Sequence, residues 1–257
     1  SEEFPSTLMD YYSDTSRTSF EAKVLGCANL SGNQLSSLNL SSEVDNPPTH
    51  YVVLDRTLFY PEGGGQLGDQ GSLGGVSVCD TRIEKETIYH LTDGPVPIGD
   101  ISGRVNWERR RQLMDHHTAV HIVGGSAREL LGPHIWQAGS NKGARYARID
   151  LTHFSRLSRD ELNLIEDHAN DIIASNTLVE KTEIPRAEAD ELFGFELYQG
   201  GPPKSSHIRV IRIGDHDVQA CGGTHHDKVG EIGELRIIRS SQVQDGVERL
   251  QIVAGET

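Results

Sequence analysis

Cysteine is scarce in this chain of 257 residues: Cys27, Cys79 and Cys221 are the whole supply. An odd set of three excludes a disulfide framework and fits a reducing, cytoplasmic setting. Aromatic residues make up 6% and hydrophobic residues 35%, a lean supply that still suffices for a core. No apolar run approaches the ~18 residues of a membrane span, and the start does not read as a signal peptide. Positive charge is short too: 24 Lys and Arg against 38 Asp and Glu give a net charge of −14. For the surface as a whole this argues against a nucleic-acid partner, because phosphate binding wants basic surface. A local basic face can nevertheless sit on an acidic body. The length suits one large domain or two modest ones. The first residue is Ser1 rather than Met, so an excised piece of a longer chain is expected.

What is present divides near residue 105. "TSFEAKVLGC" (18–27) reads as a strand, and the Ser/Asn/Pro-rich stretch 28–49 as a long loop or insertion. "YVVLDRTLFY" (51–60) is rich in β-formers, and "VSVCDTRIE" and "TIYHLTDG" read as short strands. Residues 1–105 are therefore expected to form a small glycine-rich β domain. From Asn106 the pattern becomes helical, with Asn106 as a cap and Gly132 at the far end. Gly124-Gly125 predicts a bend in the middle. "YARIDL" (146–151) reads as a strand. "SRDELNLIEDHANDIIASN" opens with the capping box Ser158-x-x-Glu161 and carries one apolar stripe. "RAEADELFG" is a short helix ending at Gly194, and two hairpins follow, one of them turning at Asp245-Gly246. Residues 106–257 thus read as an α+β domain.

Two histidine clusters stand about a hundred residues apart, "DHHTAVH" and "CGGTHH". His117 and His121 are at i and i+4, on one face of a helix and close enough to clasp one ion. Cys221 and His225 are also four apart, joined by a flexible Gly-Gly-Thr turn. Each pair alone is more often a packed pair or a surface coincidence. Together they form a His₃Cys donor set suited to zinc. His116 and His226 are expected to face solvent or to support the ligands from outside. Thr118 stands where the His-Glu-x-x-His protease motif needs its glutamate, which sets that chemistry aside.

"GGGQLG" (63–68) matches Gly-x-Gly-x-x-Gly by letter. It is followed by more glycine and then a strand, not by the helix of a dinucleotide fold, and it lacks the Gly-Lys-Ser/Thr end of a phosphate loop. It reads either as tight turns between strands or as a backbone platform where a substrate comes close, with Gly64, Gly65 and Gln66 lining it.

Taken in order, "PEGGGQLGD", "HHTAVH", "WQAGS" (136–140) and "CGGTH" resemble the editing domain of alanyl-tRNA synthetase and the related free-standing alanyl-tRNA editing proteins, in wording closest to the archaeal type. The resemblance covers nearly the whole chain except 28–49. It implies an α+β fold: a small β-barrel-like domain, then a zinc-binding domain whose antiparallel sheet packs on the 106–131 and 158–175 helices. It implies hydrolysis of mischarged tRNA(Ala), chiefly Ser-tRNA(Ala) and Gly-tRNA(Ala), with Zn²⁺ as cofactor. The partners it implies are the tRNA acceptor end and the other domains of a full-length synthetase. A site that selects alanine cannot strongly reject glycine, since one methyl is worth only ~1–3 kcal/mol, so a second sieve is needed.

The resemblance also places Gln137 where a polar side chain faces the aminoacyl group, a position that residue type alone would read as ordinary surface. Thr118 and Thr224 stand beside the ligands as possible assistants, although such hydroxyls commonly bond to the local backbone. No catalytic carboxylate stands out. Asp115 and Asp227 lie near the clusters in sequence only, and a tRNA hydroxyl could serve as the base instead. Either Cys221 is a loosely held ligand that opens a position for water at the zinc, or the zinc mainly organises the pocket; the sequence leaves both open. The basic path for tRNA is expected along Arg104, Arg109, Arg110 and Arg111, then Lys142, Arg145 and Arg148, then Lys204, Arg209 and Arg212; the plain alternative is a solvated charged face. Two other readings stand beside this one: a non-catalytic zinc module that binds tRNA, and a zinc hydrolase for another ester or amide.

Overall fold

A computed structural model describes residues 4–199, 201 and 205–255. The chain divides into two compact units, Ser1–Arg111 and Gln112–Thr257, and mixes helices with several antiparallel sheets.

The first unit holds β1 (Leu8–Met9), β2 (Ser19–Asn29), α1 (Gly32–Ser37), β3 (His50–Leu54), β4 (Arg56–Thr57), β5 (Gly71–Leu73), β6 (Val76–Glu84), β7 (Thr87–Thr92) and β8 (Gly99–Val105). Six of these strands close into a barrel in the order β2-β3-β7-β6-β5-β8, with β8 pairing back onto β2. Along β2 the side chains alternate outward and inward, which puts Phe20, Ala22 and Val24 into a core with Val52, Leu54, Phe59 and Leu73. The polar stretch expected to be loop contains α1. Its Ser31 and Gln34 form a complete capping box, a signal that the absence of apolar periodicity had hidden. The glycine-dense segment is a tight turn. Gly63 and Gln66 exchange backbone hydrogen bonds at 3.0 and 2.9 Å, and Gly64 and Gly65 take positive φ of 57° and 80°, where a side chain would be strained. Gln66 is fully buried, so its side chain does not line an exposed platform.

The helix α2 (Trp107–Leu131) contains the point at which the units divide. The Asn106 side chain accepts from Arg109 N at 3.2 Å, and Gly132 closes the far end with φ of 117°. The helix runs uninterrupted through Gly124-Gly125, where a bend was expected. The glycines serve close packing instead. A Cβ on Gly125 would lie 2.7 Å from His216 Nε2 and 3.0 Å from the His216 carbonyl.

The second unit continues with β9 (Gln137–Lys142), β10 (Ala147–Thr152), α3 (Arg159–Ala174), β11 (Val179–Pro185), α4 (Arg186–Phe193), β12 (His207–Ile213), β13 (Asp217–Ala220), β14 (Leu235–Gln244) and β15 (Val247–Ala254). One antiparallel sheet runs β14-β15-β10-β9 and a second β11-β12-β13. Ala119, Ile122 and Val123 of α2, Ile165, Ala169 and Ile173 of α3, and Ile149, Leu250 and Ile252 of the first sheet share one core cluster. Each Ile, Leu or Val fully buried there contributes roughly 1.5–3 kcal/mol. The α3 capping box forms both its bonds, Glu161 N to Ser158 Oγ at 3.2 Å and Ser158 N to Glu161 Oε2 at 2.8 Å. Among the described residues no helix is long and apolar enough to cross a membrane.

Candidate metal centre

Helical periodicity puts His117 and His121 on one face of α2, with ring centroids 5.4 Å apart. Cys221 and His225 come from the loop that follows β13. That loop is folded back by Arg209 on β12, whose Nη1 donates to the Cys221 carbonyl at 2.9 Å and to the Gly223 carbonyl at 2.7 Å. The Arg209 carbonyl in turn accepts from Cys221 N at 3.0 Å. The result brings the His225 ring within 4.4 Å of His117 and 4.7 Å of His121, centroid to centroid. Cys221 Sγ lies 3.2 Å from His117 Nε2 and 3.3 Å from His225 Nε2, and one donor atom from each of the four residues falls within 4.8 Å of all the others.

This spacing tests the donor set for zinc. Nitrogen at ~2.0–2.1 Å and sulfur at ~2.3 Å in a tetrahedron leave donors about 3.4–3.6 Å apart. The sulfur–nitrogen distances here are close to that edge. The outer ring atoms are held as well. His121 Nδ1 meets Asp217 Oδ2 at 2.9 Å, and His225 Nδ1 meets Thr118 Oγ1 at 3.0 Å. Each contact fixes the ring and leaves Nε2 for the cluster. All three histidines are buried, and the four residues fit a zinc ion.

Electrostatics follow from burial. Burial, helped by Lys142 and by the other histidines, pushes His117 well below the ordinary imidazole range. Burial and the neighbouring His121 do the same to His225. For His121 burial pulls downward, but Asp217 and the Cys221 sulfur outweigh it and lift the ring to about 9. Burial alone would raise the Cys221 thiol; His121 and Lys142 reverse this and lower it. Neutral His117 and His225 and a Cys221 thiol lowered towards thiolate suit a metal, whereas His121 would have to give up its proton as the metal binds. Lys142 is itself pushed down to about 8 by burial, against the pull of Cys221.

Other expected residues fall in different places. Arg110 is fully buried in the first unit: its guanidinium is clamped on the Asp69 carboxylate and donates to the carbonyls of Leu58 at 2.6 Å and Thr15 at 3.0 Å. Arg109 is 8% exposed and pairs with Glu43 at 2.7 Å. Neither offers a charge to phosphate, and the expectation for both is corrected: each neutralises a buried carboxylate. Lys142 is also turned inward, 2% exposed, with Nζ on Ser140 Oγ at 2.7 Å. Arg209 clamps the Cys-Gly-Gly turn, and Arg212 engages Asp215 at 3.1 Å. Arg111 is half-buried, Arg104 and Arg145 are exposed, and Lys204 lies outside the described residues.

Thr118 and Thr224 are fully buried, Thr118 against a ligand ring rather than the backbone. Gln137 is half-buried, its Nε2 donating to Ser140 Oγ at 3.2 Å. His116 and His226 do not face solvent: His116 Nδ1 lies 2.6 Å from the Gly143 carbonyl, and His226 Nε2 lies 2.6 Å from Asp115 Oδ1. Asp227 pairs with Lys181 at 2.5 Å. Sequence reading missed Asp217 entirely, and it missed Arg239 and Arg249. The last two line a cavity of about 240 Å³ on the β10-β15-β14 sheet, together with Tyr146, Arg148, Ser241 and Gln251.

Comparison with known proteins bears on both ends of the chain. Residues 208–251 match the threonyl and alanyl tRNA synthetase second additional domain, a span that includes Cys221 and His225. Residues 6–108 match the class II (A) tRNA synthetases. The alanine–tRNA ligase of Methanopyrus kandleri is 41% identical over 99% of this chain and 27% of that protein. Those of Haloquadratum walsbyi and Halobacterium salinarum are each 44% identical, over 99% and 98% of this chain and 26% of either protein. The chain thus spans about a quarter of the length of the curated relatives it matches.

Proposed function

From a chain that is an alanyl-tRNA synthetase-related editing domain, we propose that it hydrolyses mischarged tRNA(Ala), chiefly Ser-tRNA(Ala) and Gly-tRNA(Ala), at the His117–His121–Cys221–His225 centre. The observation that carries this reading is the closure of two remote segments onto one buried donor set of zinc-like spacing. A zinc bound there would polarise the ester carbonyl or lower the pKa of an attacking water. The chain's own groups do the rest. Asp217 and Thr118 hold the His121 and His225 rings from behind. Lys142 supplies a buried positive charge beside Cys221 for the negative charge that develops on the ester oxygen. Gln137 opens β9, the strand that leads through Gly139 and Ser140 to Lys142, and its amide can donate to and accept from a seryl hydroxyl. For serine, a polar sieve of this kind recognises the hydroxyl that alanine lacks.

The acceptor stem needs positive surface that Arg109, Arg110 and Lys142 do not provide. Arg145 and Arg239, exposed on or beside the open face of the first sheet, supply it, with the half-exposed Arg148 and Arg249, which share Asp150 at 3.2 and 2.7 Å, next to them. In a full-length synthetase the same face would receive the charged end released from the aminoacylation domain.

One observation favours a second reading. Four protein donors complete a tetrahedron, and structural zinc sites are closed in this way while catalytic ones keep a position open. The chain would then be a zinc-stabilised tRNA-binding module without chemistry. A single assay separates the two: Ser-tRNA(Ala) hydrolysis by wild type, His121→Ala, Cys221→Ala and Gln137→Ala. The deacylase reading expects at least a tenfold loss in both ligand variants, and a loss of serine selectivity in Gln137→Ala with zinc content unchanged. Hydrolysis absent from wild type, with tRNA still bound, would leave the module.

A further inference from the structure

A second set of metal-ligating groups gathers away from the first. Glu129 lies near the end of α2, His168 in α3 and His216 in the turn between β12 and β13. Their donor atoms all lie within 4.8 Å of one another. Glu129 Oε2 is 3.4 Å from His168 Nε2 and 3.6 Å from His216 Nδ1. These separations are long for hydrogen bonds. They match the edge of a coordination tetrahedron, about 3.4 Å for nitrogen and oxygen ligands at ~2.0–2.2 Å from a zinc-like ion.

The far side of each ring is already held. His168 Nδ1 lies 3.0 Å from Ser126 Oγ. His216 Nε2 donates to the Ile122 carbonyl at 2.9 Å, which leaves Nδ1 as the atom with the lone pair. The His216 side chain is only 6% exposed, and its Nδ1 is buried with no hydrogen-bond partner. A buried polar atom in that state calls for an explanation such as an ion. Gly125 is what lets the His216 ring come so close to α2. Glu129, 61% exposed, leaves a route in from solvent.

We propose that Glu129, His168 and His216 form a second metal site, for a divalent transition-metal ion of zinc type, with the remaining positions left to water or another ligand. Two imidazoles and one carboxylate suit such ions better than calcium or magnesium, which prefer oxygen alone. The site would pin α2, α3 and the β12–β13 turn at one point. Adjacent residues then serve separate centres, His216 at the end of the turn this one and Asp217 at the start of β13 the four-donor cluster.

Co²⁺ titration of the metal-free chain, read by equilibrium dialysis and by absorption, tests this. Wild type should take up two equivalents. Glu129→Gln and His168→Gln, both at partly exposed positions and so compatible with folding, should each take up one, with the thiolate-to-cobalt charge-transfer intensity unchanged. Cys221→Ala should lose that intensity and keep one equivalent. A single equivalent in wild type, carrying the thiolate band, overturns the proposal. So do two equivalents that neither Glu129→Gln nor His168→Gln reduces. A wild type without the thiolate band, in which His168→Gln still loses an equivalent, would instead remove the four-donor centre and leave this one standing.

Discussion

Asp217 reaches the four-donor cluster only through an imidazole, yet it fixes which nitrogen of His121 is offered. Partners of this kind typically govern 10–100-fold in metal affinity. Asp217→Asn is therefore expected to weaken zinc binding by that factor in competition with a chelator, with the fold retained; an unchanged affinity would break the link between the carboxylate and the centre. His90, in the barrel, carries a different prediction. It is fully buried between Thr57 Oγ1 at 2.7 Å and the Val52 carbonyl at 3.1 Å. Burial holds its pKa down to about 4, against the Val52 carbonyl, which raises it. Above about pH 6.5 the ring is neutral folded and unfolded, and contributes no slope. As the pH falls from 6.5 towards 4, the unfolded chain takes up a proton that the folded one refuses. Stability then drops by ~1.4 kcal/mol per pH unit, to roughly 3 kcal/mol in all. Urea unfolding between pH 7 and pH 5 should show this slope in wild type and a shallower one in His90→Gln. Equal slopes would mean that the ring is not the source. At this scale the four clustered donors were legible from spacing, because i,i+4 on a helix has a geometric meaning. Asp217 and Arg209 were not, since they meet the cluster only through tertiary packing that no local pattern encodes.

Among the elements, α3 was readable because two signals agree, the Ser158–Glu161 box and an apolar stripe that packs Ile165, Ala169 and Ile173 into the core. Ser158→Ala should cost about 1 kcal/mol of stability in chemical denaturation, and no measurable loss would show that the box is redundant with that packing. β9 was not readable. "QAGSNK" has no apolar alternation and is a strand only because β10 pairs with it from Lys142 to Gln137. Gly124-Gly125 was ambiguous for a related reason: glycine marks either a flexible point or a close approach, and only the neighbour decides which. Here the neighbour is His216. Gly125→Ala should destabilise the second unit by 1–3 kcal/mol through overpacking. The measurement is thermal or urea unfolding; a stabilised variant, as helix propensity alone would give, would contradict it.

Over the whole molecule, charge was the least legible property. The total of −14 says nothing of place, and three of the cations first assigned to phosphate, Arg109, Arg110 and Lys142, are turned inward. Sign and sequence position do not reveal burial; only the partners Glu43, Asp69 and Ser140 do. The open face bearing Arg148, Arg239 and Arg249 makes a different expectation. If it carries the acceptor stem, tRNA affinity should fall steeply between 50 and 200 mM salt, and Arg239→Gln should lower the slope of log affinity against log salt by about 1. A slope untouched by that change would move the RNA elsewhere. Distance along the chain has a final consequence. His117 and Cys221 stand 104 residues apart, so during synthesis at ~5–20 residues per second the helical half of the centre waits roughly 5–20 s for the other half to be made. A nascent chain cut short before β13 owns two of the four donors and nothing to close them with, so an ion held at this centre would report that the ribosome has nearly finished this unit.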